Sequence, residues 1–125
     1  MIMNSGFKFG IGADIESITR FKRLDRKKDA VFLGKIFSKR ELDYCFSKQK
    51  PYLHLAARFS GKEAVIKAIN SLRKKAPSLN KIEILNNPSG LPQVSLKDKI
   101  TKNLEIHLSL AHSQNMSLAF ACVIG

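Results

Sequence analysis

Tryptophan is absent from the 125 residues, and only two tyrosines accompany eight phenylalanines. Few aromatics are left to build a stacking platform of the kind that grips single-stranded nucleic acid. Two cysteines, Cys45 and Cys122, are too few and too distant for a disulfide framework, and no C-x-x-C pair offers a zinc site. No apolar run approaches the ~20 residues that span a bilayer. The stretch from Met1 to Ala13 has neither a basic n-region nor a dense apolar core before it meets Asp14. These absences lead to the expectation of a reduced, cytoplasmic protein without an export signal or membrane insertion. Acid is the scarcest charge. Ten Asp and Glu oppose 22 Lys and Arg, a formal charge of +12, while 44% of residues are hydrophobic. That apolar share excludes a disordered basic tail and suits one folded domain over residues 1–125.

The surplus charge has an address. Residues 20–50 hold 11 bases and four acids, a net of +7. Surplus positive charge favours an acidic partner, be it nucleic acid, an anionic membrane, an acidic protein or a phosphate ligand. Ile18, Phe21 and Leu24 recur every third residue among Arg20, Lys22, Arg23, Arg26 and Lys27. This pattern predicts an amphipathic helix with a basic outer face.

Phe9, Ile11, Ala13 and Ile15 alternate with Gly10, Gly12, Asp14 and Glu16, which predicts a strand whose second face carries two glycines and then acid. Glycines inside a strand mark close approach by backbone or ligand. Ser38 and Glu41 form an S-x-x-E capping box, with Phe37 and Leu42 as its hydrophobic staple, for a helix over about 39–47. Pro51 opens a longer helix to about residue 73, with a small-residue stripe through Ala57, Ala64 and Ala68. Strands follow around Ile82–Ile84 and Val94–Leu96, flanking the turn Asn86-Asn87-Pro88-Ser89-Gly90. A short helix is expected over 97–103, then a strand over 106–110 and a strand over 118–124 that is apolar on both faces. A strand, then helices, then a cluster of strands predicts an α+β fold.

Four groupings of residues carry chemistry. Glu63 stands four residues before Lys67, a spacing that equally suits a surface ion pair, yet no other acid lies between Asp43 and Glu83. With Asp14 it supplies two carboxylates and a lysine, the set that holds Mg²⁺ against phosphate oxygens. In His107-Leu-Ser109-Leu-Ala-His112-Ser113, two histidines five apart on a strand do not converge on zinc. No nucleophile elbow accompanies them either. Structural caps or hydrogen bonds to a phosphate-bearing ligand remain. Asn87 to Pro92 is a turn or a rigid lip over a flat ring. The basic segment lacks interleaved aromatics and suits an acidic protein as well as it suits phosphate.

Taken together, these segments resemble a family. Phe9-Gly10-Ile11-Gly12-Ala13-Asp14-Ile15 is similar to the Gly-x-Asp-Ile opening of the holo-[acyl-carrier-protein] synthases, small phosphopantetheinyl transferases. Ile36-Phe37-Ser38 with Glu41, Arg58-Phe59-Ser60-Gly61-Lys62-Glu63-Ala64 with Lys67-Ala68, Pro88-Ser89-Gly90-Leu91-Pro92 and His107 to Ser113 follow in the family's order and spacing. Three positions depart from it: Glu16-Ser17 replaces an apolar residue and then often an acid, Ser60 replaces Ala, and Ala111 replaces Ser or Thr.

The resemblance implies a phosphopantetheinyl transferase-like fold and transfer of 4′-phosphopantetheine from coenzyme A to a serine of apo-acyl carrier protein, in fatty acid biosynthesis, with release of adenosine 3′,5′-bisphosphate. Asp14 and Glu63 would hold Mg²⁺, Lys67 would stabilise the departing bisphosphate with help from Lys62, and Glu63 would accept the serine proton, directly or through water. Lys62, His107, Ser109 and His112, with Asn87, Pro88, Gly90 and Pro92, would line the coenzyme A pocket. Arg20, Arg23, Arg26 and Lys27 would dock the acidic carrier. A homotrimer with sites between subunits is also implied. The alternative is a non-catalytic nucleic-acid-binding domain, whose binding would fall steeply with salt and ignore Asp14 and Glu63.

Overall fold

A computed structural model describes residues 8–125. Residues 1–7, the first part of the run expected to lack an export signal, lie outside the described residues. Strand β1 (Phe9–Ser17) leads through a 3₁₀ turn (Ile18–Phe21) to helices α1 (Ala30–Ile36), α2 (Lys39–Phe46) and α3 (Pro51–Ser71). Strands β2 (Ile82–Asn86), β3 (Pro92–Leu96), β4 (Glu105–His112) and β5 (Met116–Ile124) complete the chain. β1, β5 and β4 form an antiparallel sheet in that order, and β2 with β3 forms a separate hairpin. This is the expected α+β fold.

The long helix α3 lies across the sheet, and the glycines of β1 explain how closely. A Cβ added at Gly10 would stand 2.2 Å from the Ala68 carbonyl oxygen, and one at Gly12 would stand 2.2 Å from that of Ala64. Backbone meets backbone here, and only glycine leaves room. Ala64, Val65, Ala68 and Ile69 pack on Ala119, Ala121 and Val123 in one core. The other side of α3 joins Ile18, Phe21, Leu33, Ile36, Phe37 and Cys45 in a second core.

Three expectations need correction. The basic segment is not one helix: it is a 3₁₀ turn followed by further turns and then α1, which the pattern missed. A repeat of exactly three suits the 3₁₀ geometry, in which i and i+3 eclipse. The Asp25 carboxylate then accepts the backbone N–H groups of Lys27 and Lys28, and that of Asp29 accepts the N–H of Asp25, so side chains take donors a helix would need. Residues 97–103 form turns instead of a helix, because Asp98 captures both the N–H and the hydroxyl of Thr101. Finally, β5 is buried on one face only. Leu118 (46% exposed) and Phe120 (44%) join Ile11 and Ile15 on an open apolar sheet face.

Two sequence signals are realised closely. Ser38 caps α2 with both arms of the capping box formed. Pro51 occupies the first turn of α3.

Candidate active site

Strand alternation turns Gly10, Gly12, Asp14 and Glu16 toward α3. Past the glycines the strand first carries a side chain on this face, so Asp14 enters the cleft between β1 and α3 where Lys67 reaches across. The Lys67 ammonium donates to the Ala13 carbonyl at 2.9 Å and to Asp14 Oδ1 at 3.2 Å. Asp14 Oδ2 is buried and has no hydrogen-bond partner. Buried polar atoms are ordinarily satisfied, so an orphaned carboxylate oxygen calls for a cation or donor. Glu63 sits one turn before Lys67. Its carboxyl is pushed up by burial and then by the Asp14 charge, with Lys67 opposing.

A third acid joins them, one to which the family resemblance gives no role. Glu16, two residues along the same strand face, is pushed up to about 7 by burial and then by its contact with Asp14. Arg20 holds Glu16 at 2.6 Å and lies over the rings of Phe21 and Phe59, at 5.9 and 5.8 Å. The i, i+2 spacing of Asp14 and Glu16 on a strand was the available signal. Excess negative charge at this point, with one oxygen orphaned, fits a divalent cation held by Asp14 and Glu63. Among the described residues no group of three or more His, Cys, Asp or Glu is arranged to hold a metal ion. An ion held by Asp14 and Glu63 alone would complete its shell with water and phosphate oxygens, as Mg²⁺ does.

Lys62 is placed elsewhere. It points to the opposite side of α3, fully buried, and donates to Glu41 Oε1 (2.7 Å) and to the carbonyls of Leu79 (2.8 Å) and Ile82 (2.5 Å). Glu41 in turn accepts the N–H groups of Ser38 and Ile84. This corrects the assignment of Lys62 to the coenzyme A pocket: its ammonium is committed to joining α2, α3 and β2.

The turn after β2 is rigid on its own account. Asn87 Oδ1 accepts from Ser89 N–H, Ser89 hydroxyl and Leu91 N–H, and Gly90 adopts φ +86°. A cavity of about 510 Å³ beside it is lined by Asn87, Pro92 and His107 among others, three of the residues expected at the coenzyme A pocket. Pro88 instead lines a cavity of about 580 Å³ on the other side, with Arg40, Tyr44 and Asn86. Next to that cavity lies a residue the expectations passed over. Arg58, 2% exposed, stacks 4.3 Å from the Tyr44 ring, donates to the Ile84 carbonyl, and leaves one terminal nitrogen without a partner.

His107 and Ser109 lie on the open sheet face, opposite Cys122 and Phe120. His107 pairs with Glu105 at 2.5 Å. His112 ends β4 and borders a mostly apolar cavity with Ile15, Ser113, Met116 and Leu118. Within one chain, then, the Asp14–Glu63–Lys67 cleft and the His107–Ser109 row are on opposite faces of the sheet. Of the docking residues, Arg26 pairs with Asp43 and lies over Phe46, and Arg20 is held by Glu16. Arg23 and Lys27 are exposed. Next to them α1 exposes Val31 (77%) and Phe32 (51%).

A glycine-cleared strand that aims acid at a lysine-bearing helix defines a class. The model of the 4′-phosphopantetheinyl transferase superfamily matches residues 10–123, and the chain belongs to this family. Within it, the chain is 40% identical to the holo-[acyl-carrier-protein] synthase of Thermodesulfovibrio yellowstonii, covering 91% of this chain and 96% of that one. It is 41% identical to that of Chlamydia muridarum, covering 90% and 92%. Among solved structures, holo-[acyl-carrier-protein] synthase from Neisseria meningitidis aligns with TM-score 0.76 at 32% identity, over 91% of this chain and 96% of that one. The Helicobacter pylori synthase, solved in complex with coenzyme A, aligns with TM-score 0.75 at 28% identity, over 90% and 98%. The nucleic-acid-binding alternative finds no support among these relatives.

Proposed function

We propose that the chain, acting as one catalytic domain over residues 1–125, is a holo-[acyl-carrier-protein] synthase serving fatty acid biosynthesis in the cytoplasm. It moves 4′-phosphopantetheine from coenzyme A to a serine of an acidic apo-acyl carrier protein. The observation that carries this reading is the orphaned Asp14 oxygen facing Glu63 and Lys67 in one cleft. The serine oxygen bonds to the phosphorus that bears pantetheine, the pyrophosphate P–O bond breaks, and adenosine 3′,5′-bisphosphate leaves with the bonding electrons. Asp14 and Glu63 are the residues to hold Mg²⁺, which when bound neutralises pyrophosphate charge. Lys67 adds a point charge to the departing bisphosphate. Glu63, with its proton affinity raised, takes the serine proton directly or through water.

The coenzyme A residues are then Asn87, Pro88, Gly90, Pro92, His107, Ser109 and His112. The separation of the His107 row from the acidic cleft supports a homotrimer, in which a neighbouring copy supplies the face this chain turns away. The apolar outer face with Ile11, Ile15, Leu118 and Phe120 is suited to that contact. Arg23 and Lys27, beside exposed Val31 and Phe32, dock the carrier, while Arg20 and Arg26 lend charge from within their ion pairs. Incubation with coenzyme A, Mg²⁺ and apo carrier, followed by chromatography for adenosine 3′,5′-bisphosphate, tests the reading. Bisphosphate released in step with carrier modification supports it, and consumption of coenzyme A without bisphosphate overturns it.

A further inference from the structure

One end of the molecule carries charge that the transferase site does not use. Gly125 marks the meeting point. Its N–H donates to the Lys8 carbonyl at 3.1 Å, and a Cβ there would lie 3.5 Å from Leu72 and Leu104 and 3.9 Å from the Lys74 side chain. Three segments converge on this point: the start of β1, the residues after α3, and the loop before β4. Arg73 turns the chain at φ 59°, a left-handed conformation that ends α3 and throws Arg73, Lys74 and Lys75 outward. The loop 97–104 closes on itself, with Asp98 capping Thr101 and Leu104 N–H bonding the Thr101 carbonyl. This turn buries Thr101 and lifts Ile100 out to 83% exposure, between Lys99 and Lys102.

Lys8, Arg73, Lys74, Lys75, Lys99 and Lys102 are all exposed, and none forms an ion pair among the described residues. Two nearby acids, Asp98 bonded to Thr101 and Glu105 against His107, leave the six bases in excess. The patch lies about 13 Å beyond Glu63, counting nine residues of helix rise to Leu72. It is therefore clear of the acidic cleft. Solvated bases alone would attract any polyanion. A large aliphatic side chain at the tip of a rigid loop, flanked by lysines, fits a surface with anionic heads above an apolar layer.

We propose that this end of the molecule is a peripheral docking surface for an anionic phospholipid bilayer, with Ile100 entering the headgroup region and the surrounding bases neutralising lipid charge. No helix among the described residues is long and apolar enough to cross a membrane, so the contact is interfacial. The test is flotation of the full chain with phosphatidylcholine vesicles carrying about one-third phosphatidylglycerol, against phosphatidylcholine alone. The chain should float only with the anionic vesicles and detach as salt rises. K99E/K102E should lower vesicle partition at least about tenfold, and I100S several-fold, with melting temperature and transfer activity unchanged in both. No phosphatidylglycerol-dependent flotation overturns the proposal. So does I100S floating like the wild type while a DNA duplex competes the chain off the vesicles, since that pattern means simple polyanion attraction.

Discussion

Replacing Lys62 by Met shortens the side chain by one atom and removes its charge from a site with no solvent. Lys62 and Glu41 are both 0% exposed. The substitution deletes three hydrogen bonds, to Glu41 Oε1, Leu79 O and Ile82 O. Glu41 keeps the N–H groups of Ser38 and Ile84 but loses its counter-charge. Removing one member of a buried ion pair costs about 3–5 kcal/mol. The two freed carbonyls act in the same direction, though not additively. With a urea dependence of about 2 kcal/mol per molar for a chain of this size, the unfolding midpoint should fall by about 2 M. With no tryptophan to follow, far-UV circular dichroism is the signal of choice. Coenzyme A affinity of the folded K62M protein should match the wild type. The double variant E41Q/K62M should recover part of the lost stability, because it removes the unpaired buried charge while the amide oxygen still accepts one of the two N–H groups. A loss below about 1 kcal/mol, less than the low end of that range, would refute the reasoning. So would intact stability with impaired coenzyme A binding, which would return Lys62 to the substrate.

Glu16 makes stability depend on pH. Its carboxyl is raised to about 7, so the folded state holds a proton that the unfolded chain releases near 4.5. The stability that Glu16 contributes is greatest below that lower value and is lost as pH climbs through 7. In EDTA, E16Q should therefore match the wild type near pH 4 and exceed it by on the order of 1–3 kcal/mol at pH 8. A difference that does not vary between those pH values in thermal melts would contradict the assignment. Charge reversal in R23E/K27E should raise the apparent KM for carrier several-fold at low salt and spare coenzyme A binding. Weakened coenzyme A binding alone would refute the docking role. The variant L118S/F120S should shift the mass seen by light scattering toward the monomer, and an unchanged oligomer would remove the open sheet face from the interface.

How much of this was legible depends on how local the signal is. The capping box at Ser38 and Glu41, Pro51 at the start of α3, and the alternation in β1 are short-range patterns, and each appears where expected. Asp14, Glu63 and Lys67 stand in the family motifs, and the fold brings them to one cleft. Side-chain capture of backbone donors by Asp25 and Asp98 was not legible, because it overrides a periodicity that otherwise reads as helix. Lys62 misled for a different reason. It adjoins Glu63 in sequence, yet neighbours on a helix point about 100° apart, and the partner Glu41 is 21 residues away. The β5 face misled because an apolar residue on a strand does not say whether its own chain or another copy covers it. Arg58 stood in the sequence only as the first residue of a family motif, since its burial against Tyr44 is what exposes the orphaned nitrogen.

The central claim is that Asp14 and Glu63 form the heart of a phosphopantetheinyl transfer site. Intact mass spectrometry of an apo carrier protein, after incubation with coenzyme A and Mg²⁺, tests it most directly. The wild-type chain should add one phosphopantetheinyl group per carrier, and the D14A/E63A variant, folded by circular dichroism, should add none. An undiminished mass gain with that double variant would contradict the account.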